Sequence, residues 1–178
     1  MSDYRRYFTK HFPVFITMVT YKRRQILIDN ISLLRKSFEI TKKYYTFEII
    51  SINIMKDHLH LLLSTQNPSE IPQIIRTIKQ NFTKLVPKQY YPQNITLSMQ
   101  KRSEKGIWQR RYYDHIIRNE NDLYKHIDYI HYNSMKHYQI APKDWEYSSF
   151  RKFVKLGYYD ANWCNFEDKH CISSMNCE

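Results

Sequence analysis

Two histidines separated by one leucine, His58 and His60, are the first residues whose types and spacing suggest chemistry. On a β-strand, alternate side chains point to the same face, so both imidazoles would share one side while Leu59 points into the core. Two neutral imidazoles side by side form a partial metal site, which needs a further ligand from another element. The pair also suits two solvent-facing histidines or a satisfied polar network, so the motif by itself leaves these interpretations open.

A tyrosine and an asparagine, Tyr129 and Asn133, form a second candidate pair. In a helix, a separation of four residues places both side chains on one face. Tyr129 and Asn133 would then lie on the flank of the core stripe, where a tyrosine can present its hydroxyl to a site. A purely structural tyrosine fits the periodicity as well, since three other tyrosines share the segment. The core stripe predicted from the helical period contains Leu123, Ile127, Ile130 and Ser134, and the other tyrosines are Tyr124, Tyr132 and Tyr138.

Basic and aromatic residues interleaved along the chain suggest a polyanionic partner. The formal net charge is +11, and aromatic residues make up 16% of the chain. Lysine and arginine release counterions when they contact phosphates, and aromatic rings stack on unpaired bases, so single-stranded DNA or RNA fits better than a duplex. A solvated basic surface over an aromatic core is the alternative. The candidate DNA-contacting residues are Arg76, Lys79, Trp108, Arg110, Arg111 and His115.

Length and hydropathy narrow the class of protein. A chain of 178 residues with 42% hydrophobic residues predicts one folded domain with a sizeable core. The N-terminal segment lacks the apolar stretch of a signal peptide, and no window approaches the ~18 apolar residues that span a bilayer. We therefore expect a soluble, cytoplasmic protein without membrane contact.

The pattern of apolar residues predicts the element order β-α-β-β-α-β, followed by one more helix. Strands are expected over residues 14–21, 47–55 and 58–64, with a fourth inside 108–117. Helices are expected over 30–44, 72–87 and 121–138, with Asn30 and Asn121 as N-terminal caps. This order matches the split βαβ, ferredoxin-like type of α+β fold, in which an antiparallel sheet has helices on one face. The other face is left for a site.

Five short motifs follow one another along the chain and cover roughly residues 4–152. They are Tyr4-Arg5-Arg6-Tyr7, Met55-Lys56-Asp57-His58-Leu59-His60, Ile107-Trp108-Gln109-Arg110-Arg111-Tyr112-Tyr113-Asp114-His115-Ile116-Ile117-Arg118-Asn119, Tyr129-Ile130-His131-Tyr132-Asn133 and Trp145-Glu146-Tyr147-Ser148-Ser149-Phe150. In this order they resemble the REP-associated tyrosine transposases, a branch of the single-tyrosine HUH transposases of insertion sequences. Five ordered motifs are far more specific than any one of them.

The resemblance carries expectations about activity and site. It implies that His58 and His60 bind Mg²⁺ or Mn²⁺, that Tyr129 is the nucleophile, and that Asn133 is a third ligand or orients the site. It also implies nicking and rejoining of single-stranded DNA at hairpins or palindromic repeats through a 5′-phosphotyrosine, by a monomer or a homodimer. Residues 1–152 would form a single HUH transposase domain, and 153–178 a partly irregular C-terminal extension.

One departure from the family and one alternative function accompany these expectations. The family often has proline after the asparagine, whereas Ser134 follows Asn133 here and can extend the helix.

A basic ferredoxin-like module could instead bind RNA or single-stranded DNA without cutting, and a domesticated transposase could keep binding after losing its activity. An RNP-type aromatic signature is not evident on the predicted strands. The intact histidine pair and Tyr129 favour the enzyme.

Overall fold

The computed structural model describes residues 13–164 of the chain. The motif at Tyr4-Arg5-Arg6-Tyr7 lies outside the described residues. Within the described part, the strands and the three long helices follow the predicted order, and the α+β class is confirmed. Two short helices that the sequence did not predict are added, Leu97–Lys101 and Phe150–Lys155. None of the helices in residues 13–164 is long and apolar enough to cross a bilayer.

A four-stranded antiparallel sheet is the centre of the fold. Its spatial order is β2-β3-β1-β4, the arrangement expected of a split βαβ fold. Strand β3 pairs with both β1 and β2, so it is an inner strand whose backbone is bonded on both sides. The strands are β1 (Val14–Val19), β2 (Glu48–Ile54), β3 (His58–Ser64) and β4 (Tyr113–Ile116).

Two helices, α1 (Ile31–Lys42) and α2 (Ile71–Leu85), cover one face of the sheet. Alternate residues of β1 and β3 point to this face, and Leu59 is among them, as the period of two predicts. Helix α2 is strongly amphipathic and buries four isoleucines and Phe82, while its basic residues point outward. The helices of the described chain are α1 (Ile31–Lys42), α2 (Ile71–Leu85), α3 (Leu97–Lys101), α4 (Glu120–Tyr138) and α5 (Phe150–Lys155).

The long helix α4 lies across the opposite face of the sheet, where it contacts β2 and β3. Its cap is Asn119, whose side-chain oxygen accepts the amide of Asp122, so the prediction of Asn121 as cap was wrong by two residues. The helix continues past Ser134 to Tyr138 and ends at Gln139, which has a left-handed backbone (φ 54°). The serine in place of the family's proline is compatible with this extra turn, because it keeps a backbone amide for the helix.

A second core fills the space between α4, the sheet and the C-terminal part of the described chain. Phe15 and Leu62 point into it from the sheet, and Ile130 points into it from α4. Phe153 and Tyr159 complete it from beyond residue 152. The domain boundary that we expected after residue 152 therefore falls within helix α5.

Candidate functional site

His58 and His60 lie side by side on β3 and point toward α4. Their ring centroids are 4.9 Å apart, and the two residues are only 3% and 1% exposed. The strand places them on one face because its side chains alternate, with Leu59 in the core of the other face. The predicted same-face arrangement of the two imidazoles is confirmed.

A hydrogen bond fixes each imidazole through its Nδ1 atom. The Thr17 hydroxyl, directly across the β1–β3 ladder, lies 2.9 Å from Nδ1 of His60. The Asp57 carboxylate lies 2.6 Å from Nδ1 of His58, and Arg23 lies 3.5 Å from the same carboxylate. A metal ion at this pair would therefore be bound through Nε2 of each ring, with Asp57 orienting one of them. Sequence reasoning missed Asp57, although a carboxylate directly before the histidine pair is a usable signal.

Burial affects the pKa values of His60 and of Asp57, the carboxylate behind His58. Burial first, and then the charges of His58 and His137, hold the pKa of His60 well below its ordinary value. Although burial works to raise it, the hydrogen bond and charge of His58 hold the pKa of Asp57 below its usual value. At neutral pH the site therefore offers a neutral His60 imidazole, the form that binds metal ions, and an ionised carboxylate behind His58.

Helix α4 places Tyr129 over His60. The ring centroids of Tyr129 and His60 are 5.3 Å apart at 72°, and Phe15 packs edge-on against the same tyrosine. The sequence predicted a flank position from which Tyr129 could present its hydroxyl to a site, whereas the residue is 1% exposed, about as buried as Ile130 on the core stripe. The expectation of a flank position instead of a fully buried one was wrong because the sheet covers more of α4 than its apolar stripe alone requires.

Asn133 lies one turn after Tyr129 and is fully buried. Its side-chain Nδ2 donates to the backbone carbonyl of Tyr129. Its Oδ1 is buried and has no hydrogen-bond partner among residues 13–164. A buried amide oxygen without a partner is costly, and an amide oxygen is a ligand that Mg²⁺ and Mn²⁺ accept. The residues present therefore fit a divalent metal ion beside Tyr129.

Two further residues of α4, Lys136 and His137, belong to the same site and were missed by sequence reasoning. The His137 ring centroid lies 5.0 Å from that of His58, and its pKa is lowered first by burial and then by the charge of His58. The Lys136 ammonium lies 3.4 Å from the Tyr129 hydroxyl. The spacing of four from Tyr129 through Asn133 to His137 was the signal that could have found the histidine.

A separate group, His115, Asp122 and His126, could also hold a metal ion, because one ligand atom from each lies within 4.8 Å of the others. Its members already satisfy one another: Asp122 lies 2.9 Å from His115 Nε2 and 3.1 Å from His126 Nδ1, and it also accepts the amide of Arg118. The two rings stack at 14°. His115, which we predicted to contact DNA, thus belongs to this cluster at the start of α4.

Four of the other predicted DNA-contacting residues line a groove of about 770 Å³ on the α2 side of the molecule: Arg76, Lys79, Trp108 and Arg110. The fifth, Arg111, is exposed and is not among the residues that line the groove. Lys79 crosses the groove and donates to the carbonyls of Gln109 and Arg111. Trp108 packs against Phe82, with 5.3 Å between the ring centroids, and is 8% exposed, so it forms part of the groove floor. The basic residues that line the groove are Arg76, Lys79, Lys84, Arg102, Lys105 and Arg110.

Known proteins with similar sequences or structures are transposases. Residues 9–133 match the IS200-like transposase family. A Haemophilus influenzae protein described as a REP-associated tyrosine transposase is 41% identical over 166 residues, which are 92% of this chain and 93% of that protein. The REP-associated tyrosine transposase of Escherichia coli (strain K12) is 31% identical over 92% of this chain and 91% of its own length. A solved structure of a REP-associated tyrosine transposase bound to a REP hairpin superposes with a TM-score of 0.74 at 29% identity, covering 93% of this chain and 92% of that one.

Proposed function

The chain belongs to the IS200-like transposase family, and on that premise we propose that it cuts and rejoins single-stranded DNA at hairpins with Tyr129 as the nucleophile. Family membership makes it a DNA-processing enzyme. The observation that carries the finer proposal is the placement of Tyr129 directly over His60 within one chain. Helix α4 and strand β3 hold Tyr129 beside the histidine pair in one chain, which supports attack by the tyrosine of the same chain.

The reaction that fits these groups is a transesterification. The Tyr129 hydroxyl oxygen bonds to the scissile phosphorus, and the bond from phosphorus to the 3′ oxygen breaks. The proton lost by the phenol is balanced by the proton gained by the leaving 3′ oxygen. The products are a 5′-phosphotyrosine and a free 3′-OH. Because the phosphodiester energy stays in the covalent link, a 3′-OH can reverse the step and rejoin strands without ATP.

Two adjacent imidazoles and a buried amide oxygen without a hydrogen-bond partner among the described residues support a divalent metal ion at His58, His60 and Asn133. Mg²⁺ or Mn²⁺ bound there would polarise a non-bridging oxygen of the scissile phosphate. The protein's own part is to orient the ligands: Thr17 fixes His60 and Asp57 fixes His58. We prefer this pair over the group at Asp122 because the residues of that group already hydrogen-bond one another and because Tyr129 packs edge-to-face against His60.

The basic groove on the α2 side supports hairpin binding. The solved relative is bound to a REP hairpin, and we propose that this chain takes a hairpin of the same kind. Arg76, Lys79 and Arg110 line one continuous groove, so a phosphate backbone laid along it would meet several positive charges at once. Trp108 would support the floor of that groove.

The burial of Tyr129 means that the substrate reaches its hydroxyl only if the surrounding side chains move. With 1% of the residue exposed, the hydroxyl is not accessible to a phosphate in the free protein. Binding of the substrate must therefore include a rearrangement of side chains at the end of α4 nearest the exposed Lys136 and His137.

Covalent capture tests the proposal. The protein is incubated with Mn²⁺ and a hairpin oligonucleotide labelled at either its 5′ or its 3′ end, and the products are separated on a denaturing gel. We expect a protein–DNA species that carries the segment downstream of the cut and a released strand with a 3′-OH. Hairpin binding without any cut strand would support the non-catalytic binding protein instead.

A further inference from the structure

The side chain of Lys136 contacts both the hydroxyl and the ring of Tyr129. Its Nζ lies 3.4 Å from the Tyr129 hydroxyl oxygen and 5.0 Å from the centroid of the same ring. The lysine is exposed, whereas the tyrosine is buried. The two residues are seven apart, two turns of α4, so the helix places both side chains on the same face. This is a contact with the reacting atom of the proposed function.

The contact has a defined electrostatic consequence during attack on a phosphodiester. As the Tyr129 oxygen approaches phosphorus, negative charge is shared between the two bridging oxygens and the non-bridging oxygens of the phosphate. An ammonium group beside the attacking oxygen offsets that charge where it forms. A lysine in this position stabilises the transition state more than the ground state, in which the phenol is neutral.

We propose that Lys136 is a catalytic residue that stabilises the charge developing around the Tyr129 oxygen when it attacks the DNA and when it leaves again. The proposal rests on the function proposed above. Lys136 forms and breaks no covalent bond in it. The same contact serves both directions, because the phenolic oxygen that attacks during cleavage is the leaving group during rejoining.

Two other roles for Lys136 make different predictions. A lysine that only packs over the tyrosine ring would contribute to the stability of α4 and leave the chemistry unchanged. A lysine that only contacts the DNA backbone would contribute to affinity, like any other exposed positive charge at a nucleic-acid surface. The position of Nζ at the hydroxyl, and not only over the ring, favours the catalytic role.

The experiment separates binding from chemistry. Hairpin affinity is measured in the Tyr129→Phe background, where the DNA stays uncut. The rate of covalent-adduct formation is measured in single turnovers at saturating DNA for Lys136→Met and Lys136→Arg. Lys155→Met is the matched control, because it removes an exposed lysine from α5. Rejoining is measured by adding a 3′-OH strand to the purified adduct.

The expected result is a loss in rate with little loss in affinity. Lys136→Met should form the adduct about 100- to 1,000-fold more slowly, in line with the loss of one electrostatic stabiliser at a reacting oxygen, and should rejoin more slowly as well. Lys136→Arg should recover most of the rate because it restores the charge. Lys155→Met should match wild type in rate and affinity.

Three results would overturn the proposal. The first is an unchanged rate at saturating DNA with weaker binding, which would make Lys136 a backbone contact. The second is an equal loss in Lys136→Met and Lys136→Arg, which would exclude a role for charge. The third is a wild-type rate and affinity in both variants. If wild type forms no adduct through Tyr129, the proposed function fails, whereas a normal wild-type adduct with an unaffected Lys136→Met refutes this inference alone.

Discussion

The phenol ring of Tyr129 and the imidazole of His60 lie 5.3 Å apart between centroids, at an angle of 72°. One belongs to the helix on the second face of the sheet and the other to an inner strand. Phe15 touches both rings and fills the space beside them. The rings of the proposed nucleophile and of the proposed metal ligand His60 are therefore in contact within one chain.

Tyr129→Phe removes one oxygen and leaves the ring that packs on His60 and Phe15. We expect this variant to fold, to bind a hairpin within about threefold of wild type, and to form no covalent protein–DNA species. The stability change should be small, since one hydrogen bond is worth about 1 kcal/mol. Denaturing gels with labelled hairpins measure the adduct, and anisotropy measures the affinity.

Tyr132→Phe is the control for the nucleophile. Tyr132 is on the same helix and is also buried, but it packs against Met135 and Ala141, away from the histidine pair. This variant should form the adduct at the wild-type rate. A Tyr129→Phe protein that still becomes attached to the 5′ side of the cut would contradict the assignment of the nucleophile.

Metal binding should depend on the β3 histidines. His60→Ala removes a buried imidazole whose Nδ1 is already held by Thr17, so we expect Mn²⁺ affinity to fall by at least about tenfold. Loss of the free-ion signal in electron paramagnetic resonance on adding protein measures the binding. His115→Ala, which alters the other candidate group, should leave Mn²⁺ affinity unchanged. The reverse pattern would move the metal site to Asp122 and its neighbours.

Asp57 should orient His58 without binding the metal itself. Asp57→Asn keeps the size of the side chain and removes the negative charge of the carboxylate that is hydrogen-bonded to His58 Nδ1. Mutating a residue that hydrogen-bonds a metal-binding histidine typically lowers metal affinity or activity about 10- to 100-fold, so we expect about a tenfold loss in Mn²⁺ affinity. Titration calorimetry measures it. An unchanged affinity would show that His58 is held by packing against His60 and His137 alone.

Hairpin binding should weaken steeply with salt. Log K falls with log salt by roughly 0.7 per neutralised phosphate on single strands and 0.9 on duplex. Arg76→Ala and Arg110→Ala should each reduce this slope by about one such increment, because both side chains line the groove. Lys155→Ala, on α5 and not among the groove-lining residues, should leave it unchanged. A slope in wild type close to zero would exclude the groove as a phosphate-binding surface.

Folding stability should fall in acid because of His131. This residue is fully buried, and burial lowers its pKa to about 3. In the unfolded chain the pKa is ~6.5, so the unfolded state takes up the proton first. The free energy of unfolding is therefore greatest above pH 6.5 and decreases as the pH falls from ~6.5 toward 3, by up to about 1.4 kcal/mol per pH unit.

Urea unfolding at pH 7 and at pH 5 measures this loss. In His131→Gln the decrease between the two pH values should be smaller, although stability at pH 7 also falls because Ser149 and Tyr159 lose their partner ring. Some decrease remains, since the pKa of His60 is lowered as well. Equal stability of the wild type at pH 7 and pH 5 would contradict the prediction.

Much of the fold follows from local sequence. The alternation at His58-Leu59-His60 specifies a strand and assigns each side chain to a face, because a one-residue shift would bury the histidines among the leucines. The amphipathic pattern of α2 predicts which of its residues are buried. The motifs also identify Tyr129 and Asn133. Their spacing of four places them on the same face of the helix, and this follows from the helical period without any knowledge of the tertiary structure.

The sequence by itself thus determined the elements, their order, the shared face of the histidine pair and the family. Only the tertiary structure decided what stands around them: that Tyr129 is buried over His60 and that Thr17 fixes the His60 ring. Such relationships join residues distant in sequence or depend on how far a neighbouring sheet covers a helix. Helix and strand periods fix directions within one element, but the docking of α4 on the sheet is set by the sum of many side-chain contacts, and no local pattern encodes that sum.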